Sequence, residues 1–526
     1  MTLNGGDWKL KLEKEHDPRR NAAWIDQCLD DRTPLEKITR ETEQFFTAIK
    51  KDFAVSKHAK RKKNFTERLW SLFAEEFSPE DEHSFETRVA GRQLFPAWKE
   101  RLDAEYRKLE STIQRRVNVR DYGAVGDGET DCTAAFKKAF GKGGVEVKVP
   151  AGVYLVDGLR LPSWTRLVGA GKGRTVLKLQ AKAPRKARLL TNSNYLSGNR
   201  NISVEGLTLD WHVERLGDTE NTSAGGNHSS CLTYAHVTYG WVKDVEALNP
   251  GLHCFDITGP LYNYSGDGQR GKGGSRFVWL DGVSGSGFGD DGLTTHHSDY
   301  IFVSNSHFSD PSGRAHDKGF SNSNGFEVDD GSRHVWLVNN SSTRCFGGIE
   351  IKAHANSSAA SGIHISGHLS VHDNRSFNFR HIGHHKKDDP ESRSAFNIRA
   401  QRLVSIEPIE TPLYEGSTPR CLVVSGYRNV AINRFLFVGN PDYDYKQQPA
   451  AAIQYRAGCV SLTNGVIRDF TTAGADVSIA GGEQSARNVR VQNLVSIGSA
   501  EQAVAVGKGS ELVYLEGIRK RSAHLL

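Results

Sequence analysis

The sequence predicts a mainly β protein whose strands stack as a parallel β-helix behind an N-terminal α-helical region. Glycine is abundant, at 53 of 526 residues, which suits many short strands and turns. Alternating strand-like segments recur toward the C-terminus at steps of 34 residues (Ile301 to Val335), 28 (Val335 to Ile363) and 29 (Val460 to Val489). Periods of this size indicate solenoids or propellers, and the Trp-Asp or kelch signals of propeller blades are absent. We therefore expect stacked coils that bury an apolar column and expose long polar sheet faces.

The predicted strands share an alternation of apolar and polar residues, which places successive side chains on opposite faces. They are centred near Ile202, Val237, Phe277, Ile301, Val335, Ile363, Val430, Val460, Val489 and Leu512.

Residues 1–115 are rich in charge and are predicted to be helical, and residues 116–526 to form the β-helix. After a Thr33-Pro34 start signal, apolar residues recur at three- and four-residue steps up to Phe53. A second amphipathic stripe runs from Trp98 to Ile113. That stripe could pack on its own chain or on other subunits of an oligomer.

Composition and charge exclude several classes of protein. A net charge of +6, from 68 basic and 62 acidic residues, does not indicate nucleic acid binding. The apolar runs are too short for a membrane span, and the N-terminus lacks the apolar core of a signal peptide. If the protein acts outside a cell, it is expected to arrive by lysis or within a particle. The seven cysteines are scattered without a CxxC pair, so buried thiols are expected.

The stretch Gly289–Val371 repeats one pattern three times, and the three first strands align from Gly292, Gly325 and Gly348. Alternation turns the apolar residues of these strands toward one face and the polar residues toward the other. The outward side chains form two predicted columns. The first contains Thr294, Glu327 and Glu350, and the second contains His296, Asp329 and Lys352.

This polar face is the candidate active site. Two glutamates one strand spacing apart, roughly 4.8 Å, cannot both ionise without cost, so one pKa is pushed upward. Such a pair can hold a general acid beside a general base. Asp291 lies just before the first strand and is expected to reach the same face. The catalytic candidates are Glu327, Glu350, Asp329, Asp291 and His296.

Further residues are candidates for binding substrate: Lys352, His297, Asp290, Arg380 and His381, the first of the His381–His385 run. An Asp-Asp-Gly on its own indicates only a turn, and a single glutamate in a strand indicates only solvated sheet surface. Their occurrence together with histidines and a lysine favours a catalytic site. No cofactor is expected, because HxH and HExxH spacings are absent, and a divalent cation stays open as an alternative.

The string DYGAVGDGETDCTAAFKKAF, followed by VKVPAGVYLVDG, resembles the opening of pectate-lyase-like right-handed parallel β-helices, particularly those of phage tailspikes. The resemblance implies that the helix around Ala134 to Phe140 caps one end of the solenoid. It says almost nothing about the substrate.

A closer resemblance is carried by GDDGLTTHHSDYI, NGFEVDDGSRHVWLVNN, GGIEIKAHA and FNFRHIGHH. These strings are similar to the β-helix domain of the pre-neck appendage (tailspike) proteins of small Bacillus podoviruses. The resemblance implies a virion-attached homotrimer that binds and hydrolyses the glycerol-phosphate backbone of wall teichoic acid at the host surface. The N-terminal region would attach to other tail proteins. The chain ends at Leu526, apparently without the extra C-terminal domains of those appendages.

The polar face suits a polyanionic phosphodiester. Lys352, with Arg380 one coil further on, can neutralise phosphate oxygens. Glu327 and Glu350 are the expected acid/base pair, supported by Asp291 and Asp329. Two alternatives stay open: a polysaccharide depolymerase, either glycoside hydrolase or lyase, because paired carboxylates also serve glycosidases, and a non-catalytic adhesin.

Overall fold

The computed structural model describes residues 12–52, 65–76, 86–91, 93–262, 264, 266–382 and 392–522. Phe53, His384 and His385 lie outside these residues. No helix among the described residues is long and apolar enough to cross a membrane. All seven cysteines are buried and carry free thiols, as predicted.

Two parallel sheets form the body of the protein, and we call them the long sheet and the site sheet. The long sheet has 20 strands: Arg115–Asn118, Asp127–Asp131, Val145–Val149, Gly152–Val156, Thr165–Gly169, Thr175–Leu179, Asn199–Asp210, Val237–Leu248, Arg276–Asp281, Ser284–Ser286, Asp299–Ser304, His307–Ser309, Arg333–Thr343, Ser361–Val371, Phe396–Ile406, Arg428–Val438, Gly458–Arg468, Arg487–Ile497, Glu511–Glu516 and Arg519–Arg521.

The site sheet has 12 shorter strands, one from each successive coil. They are Leu159–Leu161, Leu190–Asn192, Leu232–Ala235, Phe255–Thr258, Leu293–Thr295, Asn324–Val328, Gly347–Ala353, Arg375–His381, Arg420–Ser425, Ala451–Gln454, Ala475–Ile479 and Gln502–Val506.

The register of the coils confirms the predicted β-helix. Ile301 pairs with Val335, and Val335 pairs with Ile363, so residues about 30 apart in sequence lie one strand apart. Val460 pairs with Val489 in the same way. The inward side chains of both sheets form one continuous buried apolar cluster. Each coil is therefore held by the coils on either side of it.

The pattern of predicted strands missed one coil. Ile398, in the strand Phe396–Ile406, pairs with Ile363 on one side and with Val430 on the other. The predicted strands stepped from Ile363 to Val430 and passed over this one, although Phe396 to Gln401 alternates apolar and polar residues. The coil spacing of about 30 residues is thus continuous across this region.

The part of the chain that the structure describes contains five α-helices: α1 (Asn21–Leu29), α2 (Leu35–Lys50), α3 (Phe65–Trp70), α4 (Lys99–Thr112) and α5 (Thr133–Phe140). Short 3₁₀ helices occur at Pro18–Arg20, Ser71–Phe73, Val119–Tyr122, Val213–Leu216 and Gly482–Gln484.

Helix α5 lies where the resemblance implied a cap. It buries Phe136 and Phe140 in the same apolar cluster that fills the solenoid. The Phe136 ring packs edge-on against Tyr154, with the centroids 6.0 Å apart. The apolar column is therefore continued onto α5 at its N-terminal end.

The N-terminal region contains strands as well as helices, unlike the prediction. Thr87–Ala90 and Gln93–Pro96 form an antiparallel hairpin, with Gly91 at a positive φ of 62° in the turn. Ala74–Glu76 pairs antiparallel with Gln269–Gly271, and we call this pair the ribbon. Short alternating runs on either side of a glycine form a hairpin more readily than a helix.

The α4 stripe packs on its own chain, which settles one open alternative. Leu102 and Leu109 are buried beside Tyr239, Trp241 and Phe277 of the long sheet. The outer face of the long sheet is consequently covered there by α4.

Helices α1 and α2 cover further coils of the same face. Phe46 and Ile49 of α2 contact Ala431 and Cys459, and Ile25 of α1 lies in a buried cluster with long-sheet residues. The expectation of long exposed polar faces is therefore wrong for these coils. The helices were predicted to form a separate region and were not expected to pack on the outer face of the long sheet.

Phe46→Ala is expected to destabilise the protein by about 3 kcal/mol, because the ring is 1% exposed and the change leaves a cavity under α2. The thermal unfolding temperature should fall, and amide hydrogen exchange should rise across residues 35–50. Phe65→Ala is the matched control, because that ring is 82% exposed on α3. Equal unfolding temperatures for the two variants would contradict the packing of α2 on the sheet.

Candidate functional site

The two glutamates lie in one column of the site sheet. Thr294 pairs with Glu327, and Glu327 pairs with Glu350, as the alternation predicts. Lys352 pairs with Arg380 on the following coil. Regular stacking of parallel strands therefore places these groups about 4.8 Å apart along the solenoid axis.

The polar face is buried. Glu327 is 3% exposed and Glu350 is 0% exposed, and Asp291 and Asp329 are equally covered. The expectation of a solvated face is wrong here, because segments distant in sequence cover it. Low polarity around these charges strengthens their mutual interactions.

Two tyrosines from the segment after Thr258 contribute to this cover. The Tyr262 ring packs edge-on against His296, with centroids 4.5 Å apart, and its hydroxyl lies 3.5 Å from His296 Nδ1. Tyr264 lies edge-on to His354 at 6.1 Å. The same segment continues into Gln269–Gly271, one strand of the ribbon. The N-terminal region thus holds part of the cover.

Lys352 is the central cation of the site. Its Nζ lies 2.7 Å from Glu327 Oε2 and 3.8 Å from Asp329 Oδ2. Burial lowers the pKa of Lys352, but the surrounding carboxylates, with Glu327 first, raise it well above its ordinary value. Burial raises the pKa of Asp329, yet Lys352 and His296 outweigh it and leave that pKa well below the ordinary value. Lys352 and Asp329 are therefore both charged at neutral pH.

Asn324 bridges Asp291 and Glu327, two acids whose pKa values are raised above their ordinary values. Its backbone N–H and its Nδ2 donate to Asp291 Oδ1 at 2.9 and 3.0 Å. The same Nδ2 donates to Glu327 Oε2 at 2.9 Å, and Thr294 donates to Glu327 Oε1 at 3.3 Å. Burial raises the pKa of Asp291, and the charge of Asp290 raises it further. Burial also raises the pKa of Glu327, partly offset by Lys352.

Glu350 has a different environment from Glu327. Arg380 Nε donates to its Oε1, and Asn378 Nδ2 donates to the same oxygen at 3.3 Å. No described residue donates a hydrogen bond to Glu350 Oε2. The stacked glutamates are therefore distinguished by their cations, an ammonium for one and a guanidinium for the other.

His296 joins this group on the side of Asp329. Its Nε2 lies 3.6 Å from Asp329 Oδ2, and its Nδ1 lies 4.0 Å from Asp256 Oδ1. Burial lowers the pKa of His296, but the hydrogen bond and charge of Asp329 outweigh burial and leave it raised. His296 can therefore carry a proton near neutral pH.

A second cluster adjoins the first at Asp290 and Asp291. His253 Nδ1 lies 3.3 Å from Asp256, and its Nε2 lies 3.5 Å from Asp290 and 3.6 Å from Asp291. His316 Nε2 lies 2.9 Å from Asp290. Burial lowers the pKa of His253, but the hydrogen bonds with Asp256 and Asp290 raise it to about 9.

The sequence analysis missed His253, Asp256 and His316. Asp256 pairs with Thr294 and so begins the same column one coil earlier. The string HCFDIT has the alternation of the three aligned strands, and extending the alignment by one coil would have found it. His316 lies between strands, where the sequence gave no comparable signal.

Two candidates lie apart from the glutamate column. His297 packs beside Gly331 and Arg270, and burial lowers its pKa to about 4. His381 Nε2 lies 3.8 Å from Asp267 at the end of its strand. The remaining candidates are neighbours on one face. Contacts through Lys352, Asn324 and His253 join Asp290, Asp291, His296, Glu327 and Asp329. Strand pairing places Glu350 and its partner Arg380 beside Glu327 and Lys352.

Within the described residues, three sets of side chains have metal-ligand chemistry and spacing. They are His253 with Asp290 and Asp291, His296 with Glu327 and Asp329, and Asp329 with Asp330 and His354. In the second set, Lys352 already contacts Glu327 and supplies positive charge. In the first, the raised pKa of His253 favours a proton on the nitrogen that a metal would need.

The chain resembles known proteins over most of its length. Residues 116–350 match the family model "Rhamnogalacturonase A/epimerase, pectate lyase-like". The putative phage-related protein YobO of Bacillus subtilis (strain 168) is 49% identical over 411 residues, which cover 78% of this chain and 51% of that protein. The pre-neck appendage protein of Bacillus phage phi29 is 41% identical over 414 residues, covering 78% of this chain and 47% of that protein.

A solved structure agrees with the sequence relatives. The crystal structure of the N-terminal fragment of bacteriophage phi29 gene product 12 aligns with a TM-score of 0.72 and 38% identity. The alignment covers 80% of this chain and 69% of the fragment. The chain spans about half the length of the curated relatives it matches. This chain belongs to the pectate-lyase-like β-helix family that includes the pre-neck appendage proteins of Bacillus phages phi29, PZA and B103.

Proposed function

We propose that this protein is a phage tail appendage that hydrolyses the glycerol-phosphate backbone of wall teichoic acid. The observation that carries the proposal is the buried group of four carboxyls with two cations in contact. Lys352 and Arg380 can neutralise phosphoryl oxygens, and the acids can transfer protons. Kinship with pre-neck appendage proteins supports a place in the virion, with action at the host surface. Attachment through residues 1–115 and assembly as a homotrimer are parts of the same proposal.

The charges divide the catalytic roles. Asp291 and Glu327, joined by Asn324, have raised pKa values, so together they retain a proton at neutral pH and act as the general acid. Glu350, in contact with Arg380, is the general base. Asp329 stays ionised and orients His296 and Lys352.

The reaction follows from these positions. Glu350 takes a proton from water as the water oxygen attacks phosphorus. The bond between phosphorus and the leaving glycerol oxygen breaks, and that oxygen receives the proton of the Asp291–Glu327 pair. Lys352 and Arg380 stabilise the charge on the phosphoryl oxygens. The products are a phosphomonoester end and a free hydroxyl end.

A polysaccharide-acting enzyme is the second candidate, and the match of residues 116–350 to a rhamnogalacturonase and epimerase model favours it. The same acid and base would then act at a glycosidic or uronic-acid centre. Mass spectrometry of products from purified wall teichoic acid and from acidic polysaccharide separates the two. An adhesin that only binds would release no product from either polymer.

Glu327→Gln and Glu350→Gln are each expected to lower kcat on purified teichoic acid by about 10² to 10⁴, because each removes a proton-transfer group. Release of phosphate-ended fragments is the measurement. Glu410→Gln is the control, since Glu410 is an exposed residue paired with Lys446. Folded Glu327→Gln and Glu350→Gln proteins that cleave at the parent rate would refute the assignment.

Lys352→Gln is expected to destabilise the protein by about 3 kcal/mol at pH 7.5, because it leaves buried carboxylates without their cation. The pKa of Asp329 is depressed in the folded protein, so its contribution is present above the unfolded pKa and lost on acidification. The gap between variant and parent should therefore narrow from pH 7.5 to about pH 3, because the contribution is lost only below the ordinary aspartate pKa of 3.8.

Chemical denaturation at the two pH values measures this gap. Lys446→Gln, which breaks an exposed ion pair, provides the control and should match the parent at both. A gap of the same size at about pH 3 and at pH 7.5 would show that Lys352 does not compensate the carboxylates.

A further inference from the structure

Arginines follow the acids along the site sheet. Asn324, Gly347, Arg375 and Arg420 occupy one column on successive coils. This column lies on the outward face of the site sheet, because the Asn324 side chain contacts the outward acids Asp291 and Glu327. Arg375 belongs to the same strand as Arg380, the partner of Glu350. Beyond the acids, the outward face therefore becomes basic.

Among the described residues, most of this positive charge has no carboxylate partner. The Arg375 guanidinium makes no hydrogen bond or ion pair with any described side chain, and its Nε is buried. Arg420 donates to the neutral amides of Gln448 at 2.8 Å and Gln454 at 3.4 Å. Only Arg380 contacts an acid, Glu350. Three guanidinium groups thus share one carboxylate among the described residues.

The arginines lie close enough to repel one another. Burial lowers the pKa of Arg375 to about 10, and the charges of Arg420 and Arg380 contribute to that shift. Arg375 remains protonated at neutral pH despite this, so the repulsion persists in the folded protein. Clustered cations without counterions cost stability, and a bound anion would relieve that cost.

This arginine cluster is more accessible than the acids. Arg375, Arg380 and Arg420 are each partly exposed, whereas Glu350 is fully buried. Tyr414 beside them is 37% exposed, and its ring packs on Phe346 with centroids 5.1 Å apart. An extended chain lying along the sheet could reach the guanidinium groups from solvent and contact the Tyr414 ring.

We propose that Arg375 and Arg420, beside Arg380, form an anion-binding subsite that holds a charged backbone group of the polymer next to the group at Glu327 and Glu350. The ligand chemistry is a phosphodiester or a uronate carboxylate, both of which guanidinium groups bind through paired N–H donors. This inference rests on the proposed function for its choice of phosphodiester. The polymer then runs along the solenoid axis, across successive coils.

Arg375→Gln and Arg420→Gln should each raise KM for polyglycerol phosphate about tenfold and change kcat by less than about twofold, because the contact is made equally before and during reaction. The double variant should also weaken the dependence of KM on salt concentration. Arg107→Gln is the control, because it removes an exposed arginine of α4. Its KM, its kcat and the salt dependence of its KM should match those of the parent.

A stability measurement separates a ligand-binding role from a structural role. Removing one of several mutually repelling charges should leave the thermal unfolding temperature of Arg375→Gln at or above the parent value. A lower unfolding temperature with an unchanged KM would assign Arg375 to the structure and overturn the subsite. An unchanged KM in the double variant would overturn it as well.

Binding without catalysis tests the subsite independently of the proposed reaction. Calorimetric titration compares polyglycerol phosphate with polygalacturonate, using the Glu327→Gln protein with and without the two arginine changes. Arginine-dependent binding of polyglycerol phosphate supports a phosphate subsite. Arginine-dependent binding of polygalacturonate alone, with no teichoic acid cleavage by the parent, keeps the anion subsite and refutes the proposed function. If both polymers bind equally well with and without the two arginine changes, the subsite is overturned. That outcome does not affect the cleavage result, which tests the proposed function separately.

Discussion

The stacking of each strand on the equivalent strand of the next coil is the constraint on which the rest of the structure depends. It aligns inward side chains into a continuous apolar cluster and gives every coil two neighbours to pack against. The same register sets outward side chains one strand spacing apart, so Glu327 and Glu350 become neighbours whatever their charges. The site therefore occupies the outward face of strands whose inward residues still belong to the apolar cluster.

Electrostatics then determines what the stacked acids can do. The cover that includes Tyr262 removes them from water, and burial pushes the pKa values of Asp291 and Glu327 upward. Lys352 acts in the opposite direction on the pKa values of Glu327 and Asp329, and Arg380 contacts Glu350. One face thus holds protonated and ionised carboxyls side by side, which acid–base chemistry requires.

Local patterns predicted much of this architecture, and long-range contacts explain what they missed. The alternation around Glu327 fixed its column and its neighbours, because strand periodicity and coil length are both local properties. The burial of that column was not predictable in this way, since Tyr262 and Tyr264 come from a loop outside the aligned strands. His316 was missed because it lies between strands, outside the alternating pattern. His297 and His381 were included by composition alone, and the structure places them apart from the glutamates.

The ribbon between Ala74–Glu76 and Gln269–Gly271 joins the first hundred residues to the cover of the site. Arg270 within it donates to Glu75 at 2.6 Å and also pairs with Asp299 of the long sheet. The segment that carries Tyr262 is therefore anchored at its C-terminal end to a strand of the N-terminal region. Deletion of residues 74–76 would consequently remove the strand partner of Gln269–Gly271, and the cover beside His296 would lose one of its attachments.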